Sequence, residues 1–332
     1  MNKSALYSNA VVKMTESGLL SAEGVKRMLS AADIAACVLV LRDFGYNESI
    51  IADSPDDIDA LLNAELEKTL AFFKEMCVDE SLFKAVMRRY DYHNVKTLLK
   101  EFCGGADTAH ALYPFGGFAL SELKLALKSG DYGGLPSVMA AAALKVKELS
   151  GAGGLSGKVI DIILDAAMYD ETSALYKKIN SAVIRRYFTA EADLKNICTA
   201  ARMKMHRFER KALTAQLVRG GKIGFDMLYE LFESPPQGLP GIFSGTEYDG
   251  LIKELAADLS ENRPLPRFEY LCEEFLFGLS REGKDDFFDN GPLFSWYIQK
   301  LAEMKTVKLI YVSKKSGIAA ERIRPLLKPI YK

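Results

Sequence analysis

Asp56-Asp57-Ile58-Asp59-Ala60-Leu61-Leu62-Asn63-Ala64-Glu65-Leu66-Glu67-Lys68-Thr69-Leu70-Ala71-Phe72-Phe73 is the stretch from which the fold is read. Apolar side chains recur at 58, 61, 62, 66, 69/70 and 73, with acids on the other face. Steps of three and four residues bring side chains to one side of a helix, so the stretch reads as an amphipathic helix with one face in a core. Ser54-Pro55-Asp56-Asp57 supplies its start. The serine can accept from free N–H groups, the proline suits the first helical position, and the acids face the positive end of the helix dipole.

Working outward, the same periodicity returns at 159–164, 213–218, 251–259 and 297–312. Alternating strand patterns with hairpin signals are absent, since Asp249-Gly250 and Asn290-Gly291 fall between helical stretches. The chain is therefore expected to be all-α. Glycine and proline breaks at 104–105, 114–117, 130–136, 151–157, 234–245, 262–266 and 290–292 separate the helices. Most of these connections are short enough to join antiparallel neighbours.

A long-period repeat organises the helices. Asp91-Tyr92-His93-Asn94-Val95-Lys96-Thr97 can be laid on Asp193-Leu194-Lys195-Asn196-Ile197-Cys198-Thr199, 102 residues later. Lys100 and Arg202 stand at the same further distance. A weaker third copy runs Glu303-Met304-Lys305-Thr306-Val307-Lys308. A glycine opens a new helical stretch after each copy, at Gly117, Gly224 and Gly317. Ala85-Val86-Met87-Arg88-Arg89-Tyr90 also resembles Ala182-Val183-Ile184-Arg185-Arg186-Tyr187, but 97 residues apart, out of step with the acidic motif. The expectation is three related helical modules, 1–135, 136–240 and 241–332. Asp91, Asn94, Asp193 and Asn196 share a helix face within each motif. They read as module-packing residues whose polar groups hydrogen-bond a neighbouring helix end.

Composition narrows the function classes. The chain has 332 residues, 49% of them hydrophobic, and a net charge of -1. That balance gives no overall attraction to nucleic acid or anionic lipid, and no apolar run approaches a bilayer span. Nucleic acid and direct membrane insertion are therefore not expected. Charge is nonetheless segregated. Residues 48–80 hold ten acids against Lys68 and Lys74, and residues 296–332 hold nine bases against Glu303 and Glu321. Each block reads either as a solvated helix face or as a docking surface. Five scattered cysteines form no pair motif and fit a reducing compartment.

Motifs for chemistry fail one by one. Gly151-Ala152-Gly153-Gly154-Leu155-Ser156-Gly157-Lys158-Val159 superficially matches a phosphate loop, but Ala152 stands where the first glycine belongs and Val159 where the hydroxyl belongs. It reads as a helix-to-helix linker. Among His93, His110 and His206, only His206 is followed at i+3 or i+4 by a carboxylate, Glu209, which is too little for a metal face. Asp285, Asp286 and Asp289 around Phe287-Phe288 read as a capped loop with both rings turned inward. No nucleophile elbow occurs, and Cys103 and Cys198 sit in apolar helical settings. No catalytic residue, cofactor or metal is expected, and a motif that appears twice in one chain speaks for architecture.

Several ordered stretches resemble the C subunit of the V-type (A-type) rotary ATPases, the family that includes the d subunit of the vacuolar pump. They are Tyr7-Ser8-Asn9-Ala10-Val11-Val12 with Leu19-Leu20-Ser21, the two Asp-x-x-Asn motifs, and Leu164-Asp165-Ala166-Ala167-Met168-Tyr169. Most specific is the end: Gly291-Pro292-Leu293, Tyr297, Lys300, Glu303, Val307-Lys308, Lys314, Gly317 and Ile323-Arg324. Ala167 and Lys308 depart from it, standing where arginine is common. The resemblance implies a funnel of three modules about a pseudo-threefold axis. It also implies a non-catalytic central-stalk part that seats the D–F axle on the membrane proteolipid ring, at the cytoplasmic face, and passes torque during ATP-linked proton or sodium transport. On that reading Lys305, Lys308, Lys314, Lys315, Arg322 and Arg324 contribute one partner-contact face and the acidic 48–80 stretch another. Two other readings are a helical-repeat interaction scaffold of unrelated ancestry and an enzyme with an unrecognised carboxylate site.

Overall fold

A computed structural model describes residues 4–331 except 55, 105–110 and 152–154, and no strand occurs among them. The chain divides into two compact units. The first joins Met1–Asp79 to Ser280–Lys332, and the second is Glu80–Leu279.

The first unit opens with α1 (Ala5–Thr15), α2 (Ala22–Ser30), α3 (Ile34–Leu39), α4 (Glu48–Asp53) and α5 (Ile58–Met76). The second holds α6 (Glu80–Gly104), α7 (Leu120–Ser129), α8 (Ser137–Gly151), α9 (Gly157–Tyr176) and α10 (Ala182–Met205). It continues through α11 (Arg210–Thr214), α12 (Phe225–Glu233), α13 (Leu239–Ile242) and α14 (Asp249–Ser260) into α15 (Pro266–Glu282). The chain then returns to the first unit with α16 (Gly291–Lys315) and α17 (Ala320–Ile323).

Helix starts follow the side chains that accept from otherwise unpaired N–H groups. Ser4 accepts from Tyr7, Ser21 from Gly24, Asp33 from Ala36 and Asn47 from Ile50. The start of α5 corrects the sequence reading. Asp57 caps it by accepting from the Ala60 N–H, while Ser54 closes α4 through an N–H to the Ile50 carbonyl. A separate short helix, α4, ends just before Ser54, so the capping role falls to Asp57; Pro55 lies outside the described residues.

The apolar stripe of α5 is buried as its spacing predicts, at Ile58, Leu61, Leu62, Leu66, Leu70 and Phe73. It faces α16, where the Phe73 and Tyr297 rings are 5.0 Å apart and Phe72 and Trp296 4.7 Å. Tilted ring pairs of this kind add about 1 kcal/mol each beyond the area they bury. In the second unit a core cluster joins Tyr92, Val95 and Leu98 of α6 to Leu123 of α7, Met139 and Val146 of α8, and Ile160 and Leu164 of α9.

The loop 283–290 corrects a second expectation. Phe287 is half-buried, but Phe288 is 91% exposed. The loop is instead pinned through its backbone, because Asn9 Nδ2 donates to the carbonyls of Phe287 (3.1 Å) and Asp289 (2.7 Å).

Candidate functional site: a recurring acid clamp

Asp91, in the middle of α6, is fully buried and accepts from the Gly117 (2.8 Å) and Phe118 (3.1 Å) N–H groups. One turn on, Asn94 grips Tyr113 in both directions. Its Nδ2 donates to the Tyr113 carbonyl and its Oδ1 accepts the Tyr113 N–H, each at 2.9 Å. A primary amide matches a peptide group donor to acceptor, so the pair holds the loop as a strand partner would. The same arrangement stands on α10. Asp193 accepts from Lys222 (3.0 Å) and Ile223 (2.8 Å), and Asn196 grips Val218 in both directions at 2.8 Å.

The third copy is an incomplete variant. Glu303 on α16 is fully buried and accepts from the Leu20 N–H at 2.7 Å. Thr306, at the asparagine place, turns back on its own helix to the Ala302 carbonyl. Phe118, Ile223 and Leu20 each lie two residues ahead of a helix, namely α7, α12 and α2. In each case an acid buried on a long helix fixes the entry of a shorter one. For the third copy the held segment comes from the N-terminal end of the chain and not from Gly317, which sequence order suggested.

Close approach dictates the glycines of two clamps. A Cβ on Gly116 would stand 2.4 Å from Asp91 Oδ1, and one on Gly221 2.0 Å from Asp193 Oδ1. No side chain fits there.

Each acid has a further partner that the sequence did not reveal. Arg88 Nη1 donates to Asp91, Tyr248 OH to Asp193 at 2.9 Å, and Tyr46 OH to Glu303 at 2.8 Å. Burial raises the Asp91 and Asp193 carboxyls above the ordinary aspartate range, against the N–H groups, Arg88 and Tyr248 that favour the charged form. Burial likewise drives the Tyr46 and Tyr248 phenols up, and Glu303 and Asp193 add to it respectively, so both remain donors.

The long helices also present cations to a neighbouring helix in a common register. Counted from the clamp acid, Arg88 and Lys300 stand three residues before, Lys96 and Lys308 five after, and Lys100 and Arg202 nine after. On α9, Glu171, Asp165 and Asp161 receive Arg88 (2.7 Å), Lys96 (2.6 Å) and Lys100 (2.7 Å). On α5, Glu65 and Asp59 receive Lys300 (2.6 Å) and Lys308 (2.7 Å). On α15, Glu269 receives Arg202 at 2.5 Å, and the Cys198 and Cys272 thiols, 3.8 Å apart, take the place of one ion pair. The structural period is therefore that of the acidic motif. The hexapeptides 85–90 and 182–187 sit five residues out of that register, and Ala190 stands where α6 has Arg88.

The basic end of the chain behaves differently from a single free face. Lys308 pairs with Asp59, and Lys314 donates to the Ala31 carbonyl at 2.7 Å. Lys315 lies 5.7 Å over the Tyr311 ring. Lys305, Lys315, Arg322 and Arg324 are exposed. The acidic 48–80 stretch and the basic end, expected on separate faces, meet within one unit at Lys308–Asp59 and Lys300–Glu65. Glu65 reads as a surface acid by residue type, yet it lies within the apolar stripe between Leu61 and Thr69 and is 3% exposed. Its place on that stripe is the signal that could have found it.

Among the described residues no group of acids, cysteines or histidines could hold a metal ion, and no helix is long and apolar enough to cross a membrane. His93 Nε2 lies 2.8 Å from the Ala111 carbonyl. His110 and most of the glycine-rich linker, 152–154, fall outside the described residues.

Comparison with known proteins gives one family. The family model described as ATP synthase (C/AC39) subunit matches residues 8–326. The C subunit of the V-type sodium ATPase of Enterococcus hirae is 22% identical over 323 residues, 97% of this chain and 98% of that protein. The C subunit of the A-type ATP synthase of Pyrococcus furiosus is 26% identical over 221 residues, 63% of this chain and 52% of that protein.

Proposed function

The chain belongs to the ATP synthase (C/AC39) subunit family, and from that membership we propose that it is the non-catalytic coupling part of a V/A-type rotary ATPase. In this reading it sits at the cytoplasmic face of the membrane, receives the D–F axle, rests on the proteolipid ring, and passes torque between them. The observation that carries the reading is the end-to-end match to the C subunit of a V-type ATPase, which leaves no large part of either chain over.

The clamps support it from the physical side. A torque-bearing part needs stiffness and complementary surfaces, and it needs no reactive group. Backbone entry points fixed by buried acids, and helix pairs laced by ion pairs, resist shear better than apolar packing alone because hydrogen-bond geometry is directional. We also propose that the chain comprises three related modules about a pseudo-threefold axis. The recurrence on α6, α10 and α16, one in each of the stretches 1–135, 136–240 and 241–332, supports this.

Gel filtration of the purified chain with a purified D–F axle tests the assignment. Co-elution at micromolar concentration is expected. Separate elution, with the axle able to bind another stalk part, would contradict it.

A further inference from the structure

The clamps on α6 and α10 set two loops in register, so their differences can be read position by position. Tyr113 corresponds to Val218, Pro114 to Arg219, Phe115 to Gly220 and Gly116 to Gly221. On the helices, Tyr90 corresponds to Ala192. In the first loop the Phe115 ring packs edge-on against Tyr90 at 5.2 Å and stacks on Tyr113 at 5.2 Å. In the second loop both rings are gone. Gly220 takes φ +104°, and a Cβ there would meet Ser173 Cβ at 3.2 Å and Ala192 Cβ at 3.9 Å.

Beside Gly220 and Gly221 lies a cavity of about 380 Å³ with Lys177, Arg185 and Arg219 in its wall, against the single carboxylate of Asp170. Arg185 is held by its Nη1, which donates to the carbonyls of Ile179 and Asn180. Arg219 is only loosely paired, 3.5 Å from Asp170 with its side chain 77% exposed. Ser173 and Thr189 add hydroxyl oxygens to the wall. The first clamp lacks the two arginines at the matched positions. Pro114 stands for Arg219, and Phe83 and Met87 stand for Arg185 and Thr189.

We propose that this cavity on the second clamp is an anion site for a phosphate-bearing small molecule. Three cations facing one carboxylate in a concave wall concentrate anions. Guanidinium forks match phosphate oxygens in pairs, and a lysine adds a mobile point charge. The volume is at the small end of ligand pockets, which suits a compact phosphate group. Free diphosphates and phospholipid headgroups share this chemistry. The site is independent of the coupling role, which stands whether or not the anion binds.

Isothermal titration of the full chain with sodium pyrophosphate, at ionic strength held constant with sodium chloride, tests it. One site with a Kd below about 1 mM is expected. Arg219→Gln and Lys177→Gln, both exposed side chains, should each weaken it at least fivefold and leave the thermal unfolding temperature of the free chain unchanged. Lys26→Gln, in the other unit, should have no effect. Sedimentation with phosphatidylcholine vesicles, with and without phosphatidic acid, separates the sources. Pyrophosphate binding alone points to a free metabolite, and Arg219-dependent vesicle binding to a lipid headgroup. No binding in either arm, or an equal loss with Lys26→Gln, would overturn the site.

Discussion

Lys300 Nζ stands 2.6 Å from Glu65 Oε1, and both side chains are nearly excluded from solvent. The same ammonium lies 2.6 Å from Glu303 Oε1 and 4.8 Å over the Tyr46 ring. One cation thus holds two carboxylates on different helices, α5 and α16, and one of those carboxylates holds the entry of α2. Such a cluster contributes little net stability compared with an apolar substitute, but removing one member leaves charge buried without compensation.

Lys300→Met is therefore expected to destabilise the chain by about 3–5 kcal/mol, read as a lowered urea midpoint. Adding Glu65→Leu should recover part of the loss, because one of the two stranded carboxylates goes with it. A double variant as unstable as the single, or a silent Lys300→Met, would contradict the cluster.

Gly221→Ala should destabilise by about 1–3 kcal/mol through overpacking on Asp193. Gly250→Ala, in the first turn of α14 with open space around its Cβ position, should stabilise by about 0.5–1 kcal/mol. Opposite signs for two glycine-to-alanine changes in the same unit distinguish close approach from general sensitivity.

Asp193 gives a pH test. Burial raises its folded pKa above the unfolded value of about 3.9. The proton is thus bound more tightly in the folded chain. Its stabilising contribution is complete below the unfolded pKa and is lost as pH rises through the folded one. Asp193→Asn removes this titration, so the stability difference between wild type and variant should be larger at pH 4 than at pH 7. Denaturant midpoints at both values measure it, and a difference that grows towards pH 7 would contradict the raised pKa.

The Cys37 thiol, pushed up to about 11 by burial despite Lys314, should be among the slowest to alkylate in the folded chain. At pH 8 its thiolate fraction is about two-hundredfold below that of a free cysteine with pKa near 8.5. Mass-spectrometric labelling with iodoacetamide checks this, and full protection should vanish in urea.

Much of the architecture could be read from local pattern, because a stripe such as 58–73 carries both its helix and its buried face in the spacing of its own residues. The Asp-x-x-Asn pairs were legible for the same reason, as near-identical words 102 residues apart. What they bind was not. The partners of Asp193, namely Lys222, Ile223 and Tyr248, come from up to 55 residues away, and no local signal marks a tyrosine as a donor to a distant acid. The third clamp was hidden by chain order, since Glu303 holds Leu20 from the opposite end of the sequence. The expected basic face was thinned for a related reason. Charge counts say which residues are cationic, and only the packing of α5 on α16 shows that Lys308 has an acid opposite it.

Coupling is tested most directly by reconstituting the rotary complex in vesicles with and without this chain, and measuring ATP hydrolysis and ion uptake together. If the chain couples the two, omission should leave hydrolysis by the catalytic head intact and abolish ion uptake, and adding the chain should restore uptake. Equal ion uptake per ATP in its absence would contradict the account.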